Sequence, residues 1–159
     1  LADGLRSAAC LTSLDLGANE LGPTGGASVA AALHGHPTLR TLGLADNALV
    51  QSKHVPEDDV EGDSKEVGDE VRYRGQSYIV RSAPDDDGDL TLFELAAVDA
   101  LVGCLQSCTN LTSLGLADNR LNLLGRYVPA ALHSLVEAAK PRVRLELYAQ
   151  VEDPARRRP

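Results

Sequence analysis

The side chains able to do chemistry are few. The four histidines are His34, His36, His54 and His133, and the three cysteines are Cys10, Cys104 and Cys108. The chain has no G-x-x-x-x-G-K-S/T, G-x-S-x-G or H-E-x-x-H motif, and no cysteine or serine has a recognisable base partner. His34 and His36 fall near a predicted helix end, where the helix dipole favours a cation. Cys104 and Cys108 stand four apart on a predicted helix and so share one face. With no third or fourth ligand nearby they read as small buried apolar residues, not as a metal or redox site. An odd, sparse cysteine count fits a reducing, intracellular compartment. The expectation is no catalytic residue and no enzyme, with no small-molecule substrate.

One acidic stretch has a spacing that could hold calcium. An EF-hand loop carries oxygen ligands at positions 1, 3, 5 and 12 and glycine at 6. With Gly88 at position 6, Asp85 takes position 3, Asp87 position 5 and Glu94 position 12. Position 1 falls on Ala83, which has no carboxylate, and a predicted strand precedes the loop where a helix is required. The competing reading is an acidic turn in which Pro84 and Gly88 are ordinary turn residues. No other cofactor is expected.

The elements that position these residues are set by an internal repeat. LTSLDLGANEL at 11–21, LRTLGLADNAL at 39–49 and LTSLGLADNRL at 111–121 superimpose without gaps. Each fits L-x-x-L-x-L-x-x-N-x-L. Leu14 and Leu16, with their counterparts Leu42, Leu44, Leu114 and Leu116, alternate on short strands and point to one side. Asn19, Asn47 and Asn119 stand where the chain turns away. An amide there can satisfy backbone groups of adjacent turns, so stacked copies predict a parallel sheet with an asparagine ladder. Ala27, Ala30, Ala31 and Leu33 follow at helical spacing, with Gly25 and Gly26 as the turn before them. The half-repeat recurs at 99–110 and at the first residues, so the chain begins inside the helix of a preceding repeat. A last helix over 127–139, with Pro129 in its first turn, a closing strand at 143–147 and an exposed tail at 148–159 complete the reading.

With 28 residues from Leu11 to Leu39 and a full helix, the repeat resembles the ribonuclease-inhibitor-like class of leucine-rich repeats. The class also occurs in innate-immune receptors and in the activating protein of the Ran GTPase. The resemblance covers residues 1–49 and 94–147. It implies an α/β solenoid with strands on a concave face and helices on a convex one. It implies protein binding. With the repeats and the lack of catalytic motifs, the reading is a scaffold that binds protein partners as one subunit of a larger assembly; the alternatives are a GTPase regulator of the Ran-activating type and a calcium-responsive binding module acting through the acidic insert. The outward residues of the concave face are Ser13, Asp15 and Gly17, then Thr41, Gly43 and Ala45, then Ser113, Gly115 and Ala117. They include no aromatic or arginine anchor of the kind that dominates binding energy. Asp15, Glu20, Thr41 and Arg120 are the polar candidates for contact.

Leu39 to Leu111 spans 72 residues where one repeat needs 28, so residues 50–93 read as an insert in the loop after the second strand. This insert holds net charge −7 of the chain's −8. Its first half is acidic and poor in apolar residues, which predicts disorder over much of it. VRYRGQSYIVRS alternates as a β-hairpin with Gly75 and Gln76 at its turn, and DLTLF supplies a third strand. The series resembles the small barrels related to Src-homology-3 and KOW domains. A net acidic chain disfavours nucleic acid as the main partner. No apolar run approaches the roughly 20 residues a membrane span needs. The absence of methionine reads as a processed product or a piece of something longer.

Overall fold

The structure, a computed structural model, describes residues 2–121 and 130–147. It is mixed α/β, with one parallel and one antiparallel sheet. The parallel sheet runs β1 (Ser13–Asp15), β2 (Thr41–Gly43), β7 (Ser113–Gly115) and β8 (Arg144–Glu146). The three repeat blocks lie in register, with Leu14 opposite Leu42 and Leu42 opposite Leu114. The second and third blocks are therefore adjacent in space despite the 72 residues between them.

Helices back this sheet: α1 (Ala2–Ser7), α2 (Gly22–Ala32), α3 (Ala96–Ser107) and α4 (Ala130–Ala139). Residues 127–129 of the expected last helix and the tail at 148–159 lie outside the described residues. Gly25 and Gly26 are inside α2 and do not form a turn before it. Gly26 is needed for close approach, since a Cβ there would run into the side chains of Leu49 and Ala97. Leu39, Leu42, Leu44, Leu111 and Leu114 are fully buried together with Leu33, Leu105 and Cys108. Burying one such leucine contributes about 1.5–3 kcal/mol, so each added layer carries a large share of the stability.

The antiparallel sheet lies between β2 and α3 in sequence and has the order β3-β6-β5-β4. Its strands are β3 (Gln51–Pro56), β4 (Glu70–Tyr73), β5 (Gln76–Ser82) and β6 (Asp89–Glu94). It is an open sheet. The hairpin turn is at Arg74 and Gly75, one residue earlier than the sequence predicts. Both have positive φ (50° and 78°), the combination a two-residue type I′ turn requires. Alternation divides the sheet's side chains: Ile79 and Phe93 join the leucine core, whereas Tyr78, Val80, Leu90 and Leu92 face a second core.

That second core corrects the expectation of disorder over the first half of the acidic stretch. Val55 and Val60 pack into it beside Val71 and Tyr73. Glu61 exchanges backbone hydrogen bonds with Arg72, and the Lys65 ammonium donates to the Glu57 carbonyl at 2.7 Å. Two valines with apolar partners across the sheet outweigh the acidic composition of their neighbours.

The residues flanking each ladder asparagine are left-handed: Ala18 and Glu20, Asp46 and Ala48, Asp118 and Arg120, with φ between 50° and 61°. A non-glycine residue there costs about 1–2 kcal/mol. Glycine avoids that penalty but loses more entropy on folding. Ala48→Gly is therefore expected to raise stability by up to about 1 kcal/mol, measured as a higher denaturant midpoint.

Candidate functional site

The outer face of the parallel sheet is built from rows that cross the strands. Strand pairing places Ser13, Thr41, Ser113 and Arg144 in one row, and Asp15, Gly43, Gly115 and Glu146 in the next. Short side chains keep this face low over β2 and β7, and the longer Arg144 and Glu146 stand at its far edge. At the β1 edge the Asp15 carboxylate accepts a hydrogen bond from the Gly17 amide at 3.0 Å and leans over Gly43. A Cβ at Gly43 would lie only 2.5 Å from Asp15 Oδ1, so glycine is what allows that carboxylate to lie across the face. At the far edge Glu146 pairs with Arg144 at 3.3 Å. Asp15 and Thr41 thus share this face on neighbouring strands. Glu20 and Arg120 are exposed in the loops beyond it, in the first and third blocks, and the fold does not bring them together.

The ladder that holds these rows is continuous. Asn47 Oδ1 accepts from the Asn19 and Leu21 amides at 3.1 and 3.3 Å. Asn119 Oδ1 accepts from the Asn47 and Leu49 amides at 2.9 and 3.3 Å. The Asn47 Nδ2 donates to the Leu16, Leu44 and Ala45 carbonyls, and that of Asn119 to Leu44, Leu116 and Ala117. Asn47 is 0% exposed and Asn119 1%.

A second series of cross-links runs along the other end of the strands and has no repeating letter in the sequence. Thr38 Oγ1 reaches the Ala9 and Leu11 carbonyls, and Asn110 Nδ2 donates to the Pro37 carbonyl. The Arg142 guanidinium donates to the carbonyls of Leu105, Cys108 and Leu111 at 2.6–2.7 Å. His36 belongs to this series. Its Nε2 reaches the Ala8 carbonyl and its Nδ1 the Thr38 and Leu39 amides, so the ring connects one rung to the next.

Cys104 and Cys108 are buried, with sulfurs 3.6 Å apart. The hydrogen bond to Cys108 and then burial push the Cys104 thiol up. Cys108 is drawn down, first by the Cys104 thiol, but its sulfur lies 2.9 Å from the Leu33 carbonyl. Only a thiol proton satisfies that contact, so we read the pair as two neutral thiols.

The calcium geometry is not formed. Asp85 Oδ1 instead accepts from the Asp87 and Asp89 amides, closing the β5–β6 turn with Gly88 at φ 81°. Glu94 ends β6, five strand residues beyond Asp89, which separates it from the turn by roughly 17 Å. Leu90, Leu92 and Phe93 are buried, and the extended strand over residues 89–94 holds Glu94 away from Asp85 and Asp87. Adding millimolar calcium is expected to leave the amide spectrum of residues 85–94 unchanged.

A cavity of about 280 Å³ between the antiparallel sheet and α3 is lined by Glu70, Tyr78, Ile79, Leu95, Asp99 and Val102, among others. Burial, then the charge of Glu70, raises the Asp99 carboxyl pKa. Among the described residues no helix is long and apolar enough to cross a membrane.

No match is found among curated proteins or among solved structures. Residues 7–30, which hold the first block, its asparagine and most of α2, match the family model for the leucine-rich repeat, and the chain carries that repeat.

Proposed function

We propose that the protein is a protein-binding module whose repeats form a short leucine-rich solenoid of the ribonuclease-inhibitor-like class, acting as a scaffold subunit in a larger assembly. Leucine-rich repeats generally serve to bind other proteins, and the 28-residue spacing with a full helix between strands supports that class. The observation that carries the reading is the outer sheet face: two in-register rows of serine, threonine and glycine, with Asp15 at one edge and Arg144 and Glu146 at the other. Such a floor admits a partner's helix or loop close to the strands, and the hydroxyls of Ser13, Thr41 and Ser113 offer polar contacts. The module works by holding its partner, without turnover.

Photo-crosslinking tests this. A crosslinking residue at Thr41, on the sheet face, is expected to trap a partner in extract. The same residue at Ala31, exposed on α2, is expected to trap none. Equal trapping at both positions, or none at Thr41, would overturn the reading.

A further inference from the structure

We infer that the cavity between the antiparallel sheet and α3 is a second binding site, shaped to take one arginine side chain of a protein partner. Its walls come from both elements. Cross-strand neighbours point to the same side of a sheet. The register sets Glu70 of β4 opposite Ile79 of β5, and Ile79 opposite Phe93 of β6. Ile79 and Phe93 pack into the leucine core, so Glu70 lies on the sheet face turned toward the helices. Ser77, two residues before Ile79, shares that face. On the other wall, Leu95 at the N-cap of α3, Asp99 and Val102 follow at steps of four and three, and so line one side of the helix.

The lining has two characters. Ile79 and Leu95 are buried and Val102 is half-buried, which makes an apolar floor. Glu70 and Asp99 reach solvent above it, near enough for the Glu70 charge to act on the Asp99 carboxyl. Among the described residues neither forms an ion pair. Two like charges facing one cleft disfavour each other, and a cation between them relieves that. The acidic insert, at net −7, draws such a cation in. The volume of about 280 Å³ lies below the roughly 300–1,000 Å³ of small-molecule pockets and suits a single side chain. Arginine fits better than lysine. Its apolar stem covers the floor, and its planar fork of donors can serve both carboxylates and the Ser77 and Ser134 hydroxyls that also line the cavity. A bare metal ion is a poorer guest, since among the described residues no three His, Cys, Asp or Glu side chains are grouped to hold one. This cavity is not part of the parallel sheet's outer face, so it stands or falls separately from the crosslinking at Thr41.

The probe is the peptide acetyl-Ala-Arg-Ala-amide, titrated into the full chain in the millimolar range and followed by amide NMR. Saturable shifts are expected at Ser77, Ile79, Asp99 and Val102. The same peptide with citrulline in place of arginine keeps the shape but is neutral, and is expected to bind roughly tenfold more weakly. Glu70→Gln and Asp99→Asn are each expected to weaken the arginine peptide by about threefold to fivefold, the span for partly exposed ion pairs. Equal binding of the two peptides, no binding of the arginine peptide, or shifts centred away from the cavity would overturn the inference. So would the same shifts on adding magnesium or calcium at equal concentration, which would make this a site for an inorganic cation. Because the citrulline peptide leaves the protein unaltered, a folding defect in either variant does not blunt the test.

Discussion

Asn47→Ala is expected to be among the most damaging single substitutions in this chain, lowering stability by about 3–5 kcal/mol. The side chain makes five hydrogen bonds in a fully buried position, two accepted by Oδ1 and three donated by Nδ2. Alanine removes all five and leaves backbone groups of two rungs unpaired, each costing about 1–3 kcal/mol where water cannot replace the bond. Not all are equally enclosed, which keeps the total below the simple sum. Asn19→Ala is the internal control. That residue is exposed and only donates, so its loss is expected to cost under about 1 kcal/mol. Urea midpoints of the two variants, compared at equal slope, measure the difference. Similar midpoints would show that the ladder does not bear on stability.

Arg142→Met has the second large effect. The guanidinium gathers three carbonyls from the end of α3 and the turn that follows it, groups a helix C-terminus leaves without partners. Methionine keeps much of the apolar stem but offers no donor. The expected cost is about 2–3 kcal/mol, in the range for hydrogen bonds to a charged group and allowing for solvent near the side chain. Arg142→Lys, with one compact ammonium in place of the planar fork, is expected to recover less than half of it. Loss of amide protection near Cys108 and Leu111 in both variants would locate the effect at this junction.

What could be read in the amino acids, and what could not, follows from how each contact is encoded. The leucines and asparagines of the blocks are legible because every rung asks the same thing of the same position. The links made by Thr38, Asn110 and Arg142 answer one need, a donor to the preceding rung's carbonyls, with three different residue types, so no letter recurs. Gly26 is similar: its role depends on Leu49 and on Ala97, distant in sequence. The stretch after residue 50 misleads because composition averages over Val55 and Val60, and those two side chains decide its order. The calcium spacing misleads for a related reason. Asp85 and Gly88 serve a turn equally well, and the alternation in DLTLF commits residues 89–94 to a strand. On the outer face, Asp15 and Thr41 do share one surface, whereas Glu20 and Arg120 are kept apart by the rung between them.

The account rests on the second and third blocks being neighbours across the antiparallel sheet inserted between them in sequence. Nuclear Overhauser contacts between the backbone protons of Leu42 and Leu114, on parallel strands about 4.8 Å apart, test this most directly. Strong cross-peaks there, with a further contact between the Asn47 amide and the Asn119 side chain, are the result expected. Their absence in a folded sample whose Leu14–Leu42 contacts are intact would contradict it.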